Sequence, residues 1–276
     1  MKAEQLPAQH GQGCCQVATS GLRAGRKFSG TDQVAEEVPV AMEFNGISHA
    51  VMLGTPCDLE DFALGFALSE GIVATAADLY SVEVVESEEG ITLRQEISGD
   101  RFARLKQYRR NLAGRTGCGL CGTESLAQAL RPVERVDHNF AVDAVAIGRA
   151  LELIRTAQVL HLATGAVHAA AWCDATGQIR MLREDVGRHN ALDKLVGALA
   201  RAGMPTDSGF ALVTSRASYE MVQKAATAGM AILVAISAPT ALAIHTALAA
   251  NIALVGFARE HDIVVYAHPE RVRFNA

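Results

Sequence analysis

Two cysteines separated by two residues are the side chains in this sequence best suited to covalent chemistry. Cys118 and Cys121 stand in the run RTGCGLCGT, residues 115–123, whose three glycines favour an exposed loop. Three arginines precede the pair: Arg109, Arg110 and Arg115. Because nearby positive charge favours the thiolate, which is the nucleophilic form of cysteine, the spacing and its surroundings predict a reactive pair.

The spacing is compatible with three kinds of site. A zinc knuckle needs a second ligand pair, and the sequence has no other C-x-x-C. A thioredoxin-like redox pair opens a helix after a strand, whereas this pair lies among glycines. A sulfur-relay loop, in which one cysteine carries a persulfide, fits the exposure and the glycines. The spacing leaves the redox pair and the sulfur relay open. We predict no chemical role for the other four cysteines: Cys14, Cys15, Cys57 and Cys173.

A second group of polar residues follows the ends of predicted strands. The runs REDVGRHN (183–190), TSRAS (214–218) and SAPT (237–240) each come between a predicted strand and a predicted helix. Open α/β sheets bind ligands at the carboxyl ends of their strands, and helix N-termini bind phosphate. We therefore predict a phosphate pocket there, against the alternative of capped helix starts with solvated charges. Its candidate residues are Arg188, His189, Ser215 and Arg216.

The run GFAREHD, residues 256–262, joins the last two predicted strands. Its residue types alone favour a hairpin with a polar tip. The functional alternative is that Phe257 stacks on a flat ring while Arg259 and backbone N–H groups hold phosphate. The sequence has no P-loop and no Rossmann fingerprint, so neither nucleotide motif is predicted.

Composition limits the classes of protein. Half of the 276 residues are hydrophobic, which excludes general disorder, and the net charge of −5 argues against non-specific binding of nucleic acid. Residues 225–258 carry no charged side chain, but Gly229, Pro239 and Asn251 divide them into strand, helix and strand, so we predict no membrane span. The first 30 residues lack an apolar run. We therefore expect no secretory signal and a cytoplasmic location.

The elements that position these residues fall into two predicted domains. From residue 140 to 276 the order is α-β-β-α-β-α-β-α-β-β, which predicts a three-layer α/β/α domain with a mostly parallel sheet covered on both faces. Residues 32–130 predict a smaller α+β domain carrying the cysteine pair, with a hairpin at Asn45–Gly46, and residues 1–31 predict a flexible tail.

The element order of the larger domain is that of the cytidine-deaminase-like fold. Those zinc enzymes place H-x-E and P-C-x-x-C at two helix starts. Here the corresponding helix starts keep one histidine and neither cysteine, so we expect no zinc and no deamination.

Several segments together resemble the FdhD family, the formate dehydrogenase accessory sulfurtransferases. They cover the chain from about residue 32 to its end and include CGLCG (118–122), TGAVHAA (164–170), EDVGRHNALDK (184–194), SRASYE (215–220) and SAPT (237–240). The resemblance implies a deaminase-like fold, a homodimer and a carrier that accepts sulfur from a cysteine desulfurase. The sulfur would pass to the molybdenum cofactor, the bis(molybdopterin guanine dinucleotide) form, before its insertion into formate dehydrogenase.

The resemblance also implies roles for particular residues. Cys118 corresponds to the cysteine that carries the persulfide, with Cys121 as its relay partner. The cofactor-binding segment of the family falls on Phe257, Ala258, Arg259, Glu260, His261 and Asp262. Members often have glycine and further basic residues after the Phe-x-Arg step, whereas here Glu260, His261 and Asp262 follow. We therefore expect Arg188, His189 and Arg216 to line the guanine-nucleotide pocket, which a free guanine nucleotide would also occupy. A cofactor-binding chaperone without sulfur transfer is the alternative.

Overall fold

The computed structural model describes residues 13–112, 133–259 and 262–274, with only the backbone described for 108–112. The first part of the chain forms a smaller unit. Its strands are β1 (Cys14–Arg23), β2 (Arg26–Ala35), β3 (Val38–Phe44), β4 (Ile47–Gly54), β5 (Leu79–Ser87) and β6 (Gly90–Ile97). Its helices are α1 (Leu59–Ser69) and α2 (Gly99–Leu112), with a 3-10 turn at Ala76–Asp78.

The second part forms a larger unit. Its strands are β7 (Val142–Asp143), β8 (His168–Asp174), β9 (Ile179–Asp185), β10 (Gly209–Val213), β11 (Ile232–Ala235), β12 (Ala253–Arg259), β13 (Asp262–Ala267) and β14 (Val272–Arg273). Its helices are α3 (Ala144–Ala157), α4 (Val159–Thr164), α5 (Arg188–Arg201), α6 (Tyr219–Thr227) and α7 (Ala241–Ala250), with a 3-10 turn at Pro269–Arg271.

A four-stranded sheet of order β4-β3-β6-β5 forms the smaller unit. As predicted, β3 and β4 make a hairpin through Asn45 and Gly46, both at positive φ, which a tight two-residue turn requires. Asn45 also exchanges hydrogen bonds with the backbone of Ile97 on β6, so the turn is fixed to the sheet. The inner face packs on α1 through buried residues: Val40, Met42, Phe44, Leu93, Phe62 and Phe66.

Six strands of order β13-β12-β11-β10-β8-β9 form the main sheet. The mixed α/β class predicted from the sequence is confirmed, and every residue of β10 and β11 is buried, as strands covered on both faces should be. The expectation of a mostly parallel sheet is wrong. Only the pairs β10–β11 and β11–β12 are parallel, because hairpins at both edges add antiparallel strands.

Two glycines let the units approach closely. A Cβ built on Gly65 of α1 would lie 1.7 Å from the carbonyl oxygen of Asp193 on α5. A Cβ on Gly197 of α5 would lie 1.9 Å from the carbonyl oxygen of Asp61 on α1. The backbones of the two helices therefore touch where they cross, and the smaller unit is joined to the larger one through this contact.

Two further sequence expectations can be compared with the structure. Residues 14–23 and 26–35 pair as an antiparallel hairpin, so the predicted flexible tail is wrong for this part of residues 1–31. The uncharged stretch 225–258 folds as α6, β11, α7 and β12, as expected for a core. No helix in the ranges described here is long and apolar enough to cross a bilayer.

Candidate functional site

The polar run 183–194 divides between the interior and the surface. Lys194 and Asp185 are fully buried and form an ion pair, with the ammonium nitrogen 2.7 Å from Oδ2. Lys194 also donates to the carbonyl of Thr55 at 2.9 Å, and the Thr55 N–H donates to Asp185 Oδ2 at 3.0 Å. Asn190 donates to the carbonyl of Leu53 on β4 and to Asp185 Oδ1. These residues fasten α5 and β9 to the smaller unit, so their role is structural.

A second buried cluster joins the same two units. Lys224 of α6 lies 2.9 Å from Glu70 Oε1 and 2.9 Å from Asp193 Oδ1, and Ser69 donates to Asp193 Oδ1 at 2.6 Å. Burial acts to lower the pKa of Lys224, but the carboxylates of Asp193 and Glu70 outweigh it and the pKa is raised. The lysine is therefore charged and fully satisfied, and it is not a candidate nucleophile.

The residues predicted to bind phosphate lie at the carboxyl ends of β9 and β10, but only some of their side chains remain candidates for a ligand. Arg188 begins α5, and its Nε is buried with no hydrogen-bond partner among the described residues. Arg216 is exposed. Ser215 is buried, and its hydroxyl donates to the carbonyl of Arg216. The two arginines therefore remain candidates for a ligand, whereas the serine side chain is already committed.

The start of α5 lacks the groups that usually satisfy a helix N-terminus. Its N-cap is Gly187, which has no side chain to accept a hydrogen bond, and its first turn carries Arg188 and His189 but no acidic residue. The positive guanidinium of Arg188 is unfavourable at a helix N-terminus, because the free N–H groups there already present positive charge. An anion at this point would offset the repulsion and would also accept a hydrogen bond from Nε of Arg188.

Two histidines border the same position. His189 Nε2 lies 2.8 Å from Glu220 Oε2, and this hydrogen bond lowers the pKa of Glu220. His168, at the start of β8, has its pKa lowered by burial and by the neighbouring charge of Arg188, so it is neutral near pH 7. No sequence pattern predicted a site role for His168 or Glu220, although each lies at a strand or helix start at this edge of the sheet.

The hairpin β12–β13 holds the second predicted group. Phe257 is 42% exposed and adopts φ +49°, an unusual backbone conformation for an aromatic residue. Arg259 and Asp262 face each other across the pair, and Ala258 is fully buried, so it can offer only its backbone. Glu260 and His261 lie outside the described residues. Phe257, Arg259 and Asp262 line a cleft of 1210 Å³, which no sequence pattern predicted.

Residues far away in sequence complete that cleft. Arg149 and Glu152 of α3 line it, together with Phe274 near the chain end. The backbone connects the cleft to the other candidate group, because Phe257 N–H donates to the carbonyl of Ser237 and Ser237 N–H donates to that of Ser215. The ends of β10, β11 and β12 therefore form one continuous row, as the element order predicts.

The cysteines differ in whether they can react. Cys118 and Cys121 lie outside the described residues, and their assignment stays a prediction. Burial raises the pKa of the Cys57 thiol to about 11 and that of Cys173 to about 12. Because the thiolate is the reactive form, both thiols are poor nucleophiles at neutral pH.

Comparison with known proteins gives a consistent result. A family model described as FdhD/NarQ family matches residues 35–273. A Bordetella petrii protein called "Sulfur carrier protein FdhD" is 54% identical over 269 residues, covering 97% of both chains. A Cupriavidus necator protein of the same name is 57% identical over 262 residues, covering 94% of this chain and 90% of its own.

The fold also matches a solved structure. The crystal structure of a putative formate dehydrogenase accessory protein from Desulfotalea psychrophila superposes with a TM-score of 0.72. The match covers 94% of this chain and 99% of that one at 22% identity, which establishes similarity of fold.

Proposed function

This chain belongs to the FdhD/NarQ family, and on that basis we propose that it is a sulfur carrier serving formate dehydrogenase. The sulfur would come from a cysteine desulfurase and go to the molybdenum cofactor in its bis(molybdopterin guanine dinucleotide) form. The observation that carries the proposal is the near full-length similarity to proteins called sulfur carriers, at 54% and 57% identity. The arginine-flanked pair Cys118 and Cys121 supplies chemistry that suits this role.

Loading is a thiol exchange. The Cys118 thiolate attacks the terminal sulfur of a persulfide on the desulfurase, and the sulfur–sulfur bond of that persulfide breaks. The desulfurase cysteine leaves as its thiolate, and the terminal sulfur keeps its proton as Cys118–S–SH. Arginines at three positions before Cys118 favour the attacking thiolate. Electrons balance without any further oxidant or reductant.

Release can use the second cysteine. Attack of the Cys121 thiolate on the Cys118 sulfur gives a Cys118–Cys121 disulfide and expels hydrosulfide. The hydrosulfide would replace an oxygen-type ligand of the cofactor, and that oxygen would leave as hydroxide. The two cysteines supply the two electrons that reduce the transferred sulfur. A dithiol reductant is then needed to regenerate the pair. Transfer of the persulfide from Cys118 to Cys121 before delivery is the other order of events.

The cofactor is the substrate here, and its phosphates suit the start of α5. Among the residues that the structure describes, none pairs with the buried Nε of Arg188 and none caps the adjacent helix N-terminus, and Arg216 is exposed in the same row of strand ends. Phe257 and Arg259 line the 1210 Å³ cleft at the other end of that row. These features support binding of the guanine nucleotide part across the carboxyl edge of the sheet, with His189 beside the phosphates.

Removing either arginine should weaken binding of a guanine nucleotide. We expect Arg188→Ala and Arg216→Ala each to reduce the affinity for guanosine diphosphate by about tenfold or more, since a charge-assisted hydrogen bond is worth roughly 1.5–3 kcal/mol. Isothermal titration calorimetry measures the effect. Arg104→Ala is the matched control, because Arg104 is an exposed arginine on α2 of the smaller unit, away from the strand ends and the cleft that form the pocket. Unchanged affinity in both pocket variants would contradict this assignment.

Peptide mass mapping tests the proposed function itself. After incubation with a cysteine desulfurase and cysteine, we expect one added sulfur on the peptide that contains Cys118 and Cys121, removed by a reductant. Cys57 and Cys173 should stay unmodified, because burial raises their thiol pKa values. An unmodified peptide, beside a desulfurase active on another acceptor, would replace sulfur transfer by the alternative of a cofactor-binding chaperone.

A further inference from the structure

The acidic residues of this chain are concentrated in one segment. Residues 36–97 contain one arginine, no lysine and thirteen aspartates and glutamates, which gives them a net charge of −12. The whole chain carries −5, so the remaining residues carry +7. The segment corresponds to the four-stranded sheet β3–β6 with α1, and this sheet and helix are therefore strongly acidic relative to the rest of the protein.

Five of the thirteen carboxylates are neutralised by cations of other elements. Asp58 and Asp61 pair with Arg183, Glu60 with Arg201, Glu70 with Lys224, and Asp78 with Arg101. The other eight lie on the sheet and in its flanking loops: Glu36, Glu37, Glu43, Glu83, Glu86, Glu88, Glu89 and Glu96. Among the residues with described side chains, the only cation in ion-pair contact with any of these eight is Arg94, at 3.6 Å from both Glu43 and Glu83.

These charges border an apolar surface. Along β3 and β4, the residues that alternate with the buried core positions point away from α1, and the pairing register places them side by side. Val51 is 62% exposed and Leu53 is 57% exposed. We call this surface the acidic sheet face. It is defined by its outward apolar residues with the glutamates on the same face, Glu43, Glu83 and Glu96, and in the flanking loops, Glu37, Glu88 and Glu89; the apolar residues are Pro39, Ala41, Val51, Leu53 and Val85.

The charge of the acidic sheet face restricts what can bind it. Phosphates, nucleic acids and anionic membranes are repelled by uncompensated carboxylates. A protein whose contact surface has an apolar centre and a basic rim is complementary in both respects. Four strands of about eight residues span roughly 19 by 26 Å, or about 500 Å² per partner. That size is typical of transient complexes, as a carrier that must be loaded and then leave requires.

We propose that the acidic sheet face is the docking surface for the protein that donates sulfur. The inference rests on the proposed function, since it names where the donor of that reaction binds. The acceptor carries phosphates and needs the basic pocket of Arg188 and Arg216, so donor and acceptor occupy surfaces of opposite charge on different units. Cys118 follows the last strand of this sheet by 21 residues in the sequence, so the reactive pair is joined to the unit where the donor docks.

The test compares charge reversal on two surfaces. One variant carries Glu88→Lys and Glu89→Lys, at the turn between β5 and β6. The matched control carries Asp137→Lys and Asp207→Lys, two exposed carboxylates of the larger unit, and changes the net charge by the same amount. Each protein is loaded by a cysteine desulfurase with cysteine, or chemically by sodium polysulfide. The initial rate of sulfur addition to the Cys118 peptide is followed by mass spectrometry at low and moderate salt.

We expect the sheet variant to load from the desulfurase at least tenfold more slowly at low salt, with a weaker salt dependence, because electrostatic steering changes association rates by about 10–10³-fold. Polysulfide loading and guanosine diphosphate affinity should match wild type, and the control variant should load normally. Normal enzymatic loading of the sheet variant overturns the docking surface alone. An equal loss in the control, or a changed oligomeric state of the sheet variant by light scattering, also overturns it. If wild type takes no sulfur from the desulfurase, the proposed function itself fails.

Discussion

Replacing Cys118 by alanine is expected to abolish sulfur loading by a cysteine desulfurase and, with it, the maturation of formate dehydrogenase. The thiolate that attacks the donor persulfide is removed, and the proposed mechanism offers no second nucleophile for this step. We expect loading to fall to background, a decrease of at least 100-fold, when sulfur on the purified chain is measured by mass spectrometry. Maturation is measured as formate dehydrogenase activity in cells that carry the variant as their only copy.

Two further variants make this result specific. Cys57→Ala should load normally, because burial raises the pKa of the Cys57 thiol to about 11 and the thiol is therefore protonated near pH 7. Cys121→Ala should still be loaded at Cys118 but should release sulfide more slowly, because the resolving thiol is absent. Full sulfur transfer by Cys118→Ala would refute the assignment of the persulfide. Loss of loading in Cys57→Ala as well would indicate a general structural effect.

Substituting alanine for Gly65 or Gly197 is expected to destabilise the whole protein. Alanine normally stabilises a helix interior by about 1 kcal/mol relative to glycine. Here the added Cβ would lie 1.7 Å from the carbonyl oxygen of Asp193 or 1.9 Å from that of Asp61, so α1 and α5 must move apart. We expect the free energy of unfolding to fall by about 3 kcal/mol or more, as overpacking against backbone allows little adjustment.

Urea denaturation followed by circular dichroism measures this loss. Gly99→Ala is the control, because Gly99 begins α2 and a Cβ there would meet nothing within 4 Å. Its midpoint should stay within a few tenths of a molar of wild type. Wild-type midpoints for Gly65→Ala and Gly197→Ala would show that the helices do not cross as closely as described.

Local sequence patterns predicted most elements, and long-range geometry accounts for the errors. Asn45–Gly46 encodes its hairpin directly, because both residues tolerate positive φ. The hairpin at residues 14–35 was not predicted. Most of its side chains are exposed on both faces, so its sequence lacks the alternation of apolar and polar residues that marks a strand. The sequence pattern also did not predict that β8 runs antiparallel to its neighbours. The residue pattern of a fully buried strand is the same whether its neighbours run parallel or antiparallel to it.

In the candidate site, too, local sequence patterns predicted the residues but not their long-range contacts. The polar run 184–194 was identified, but its split between interior and surface was not predicted. Helical spacing holds the missing signal, because Asn190, Asp193 and Lys194 recur at three and four residues and share one face of α5 with Gly197. Their partners Thr55 and Lys224 are 139 and 30 residues away from Lys194 in sequence. No local pattern reveals contacts at such separations.

The buried pair of Lys194 and Asp185 has a consequence for how the carrier moves. Both side chains belong to the larger unit and are 0% exposed, and each also forms a hydrogen bond with the backbone of Thr55 in the smaller unit. Separating the units would break both hydrogen bonds to Thr55, at a cost of about 1.5–3 kcal/mol for each bond to a charged group, and would also expose the contact of α1 and α5. The two units therefore do not act as a hinge. We expect them to unfold as one cooperative body and neither half to fold when expressed without the other.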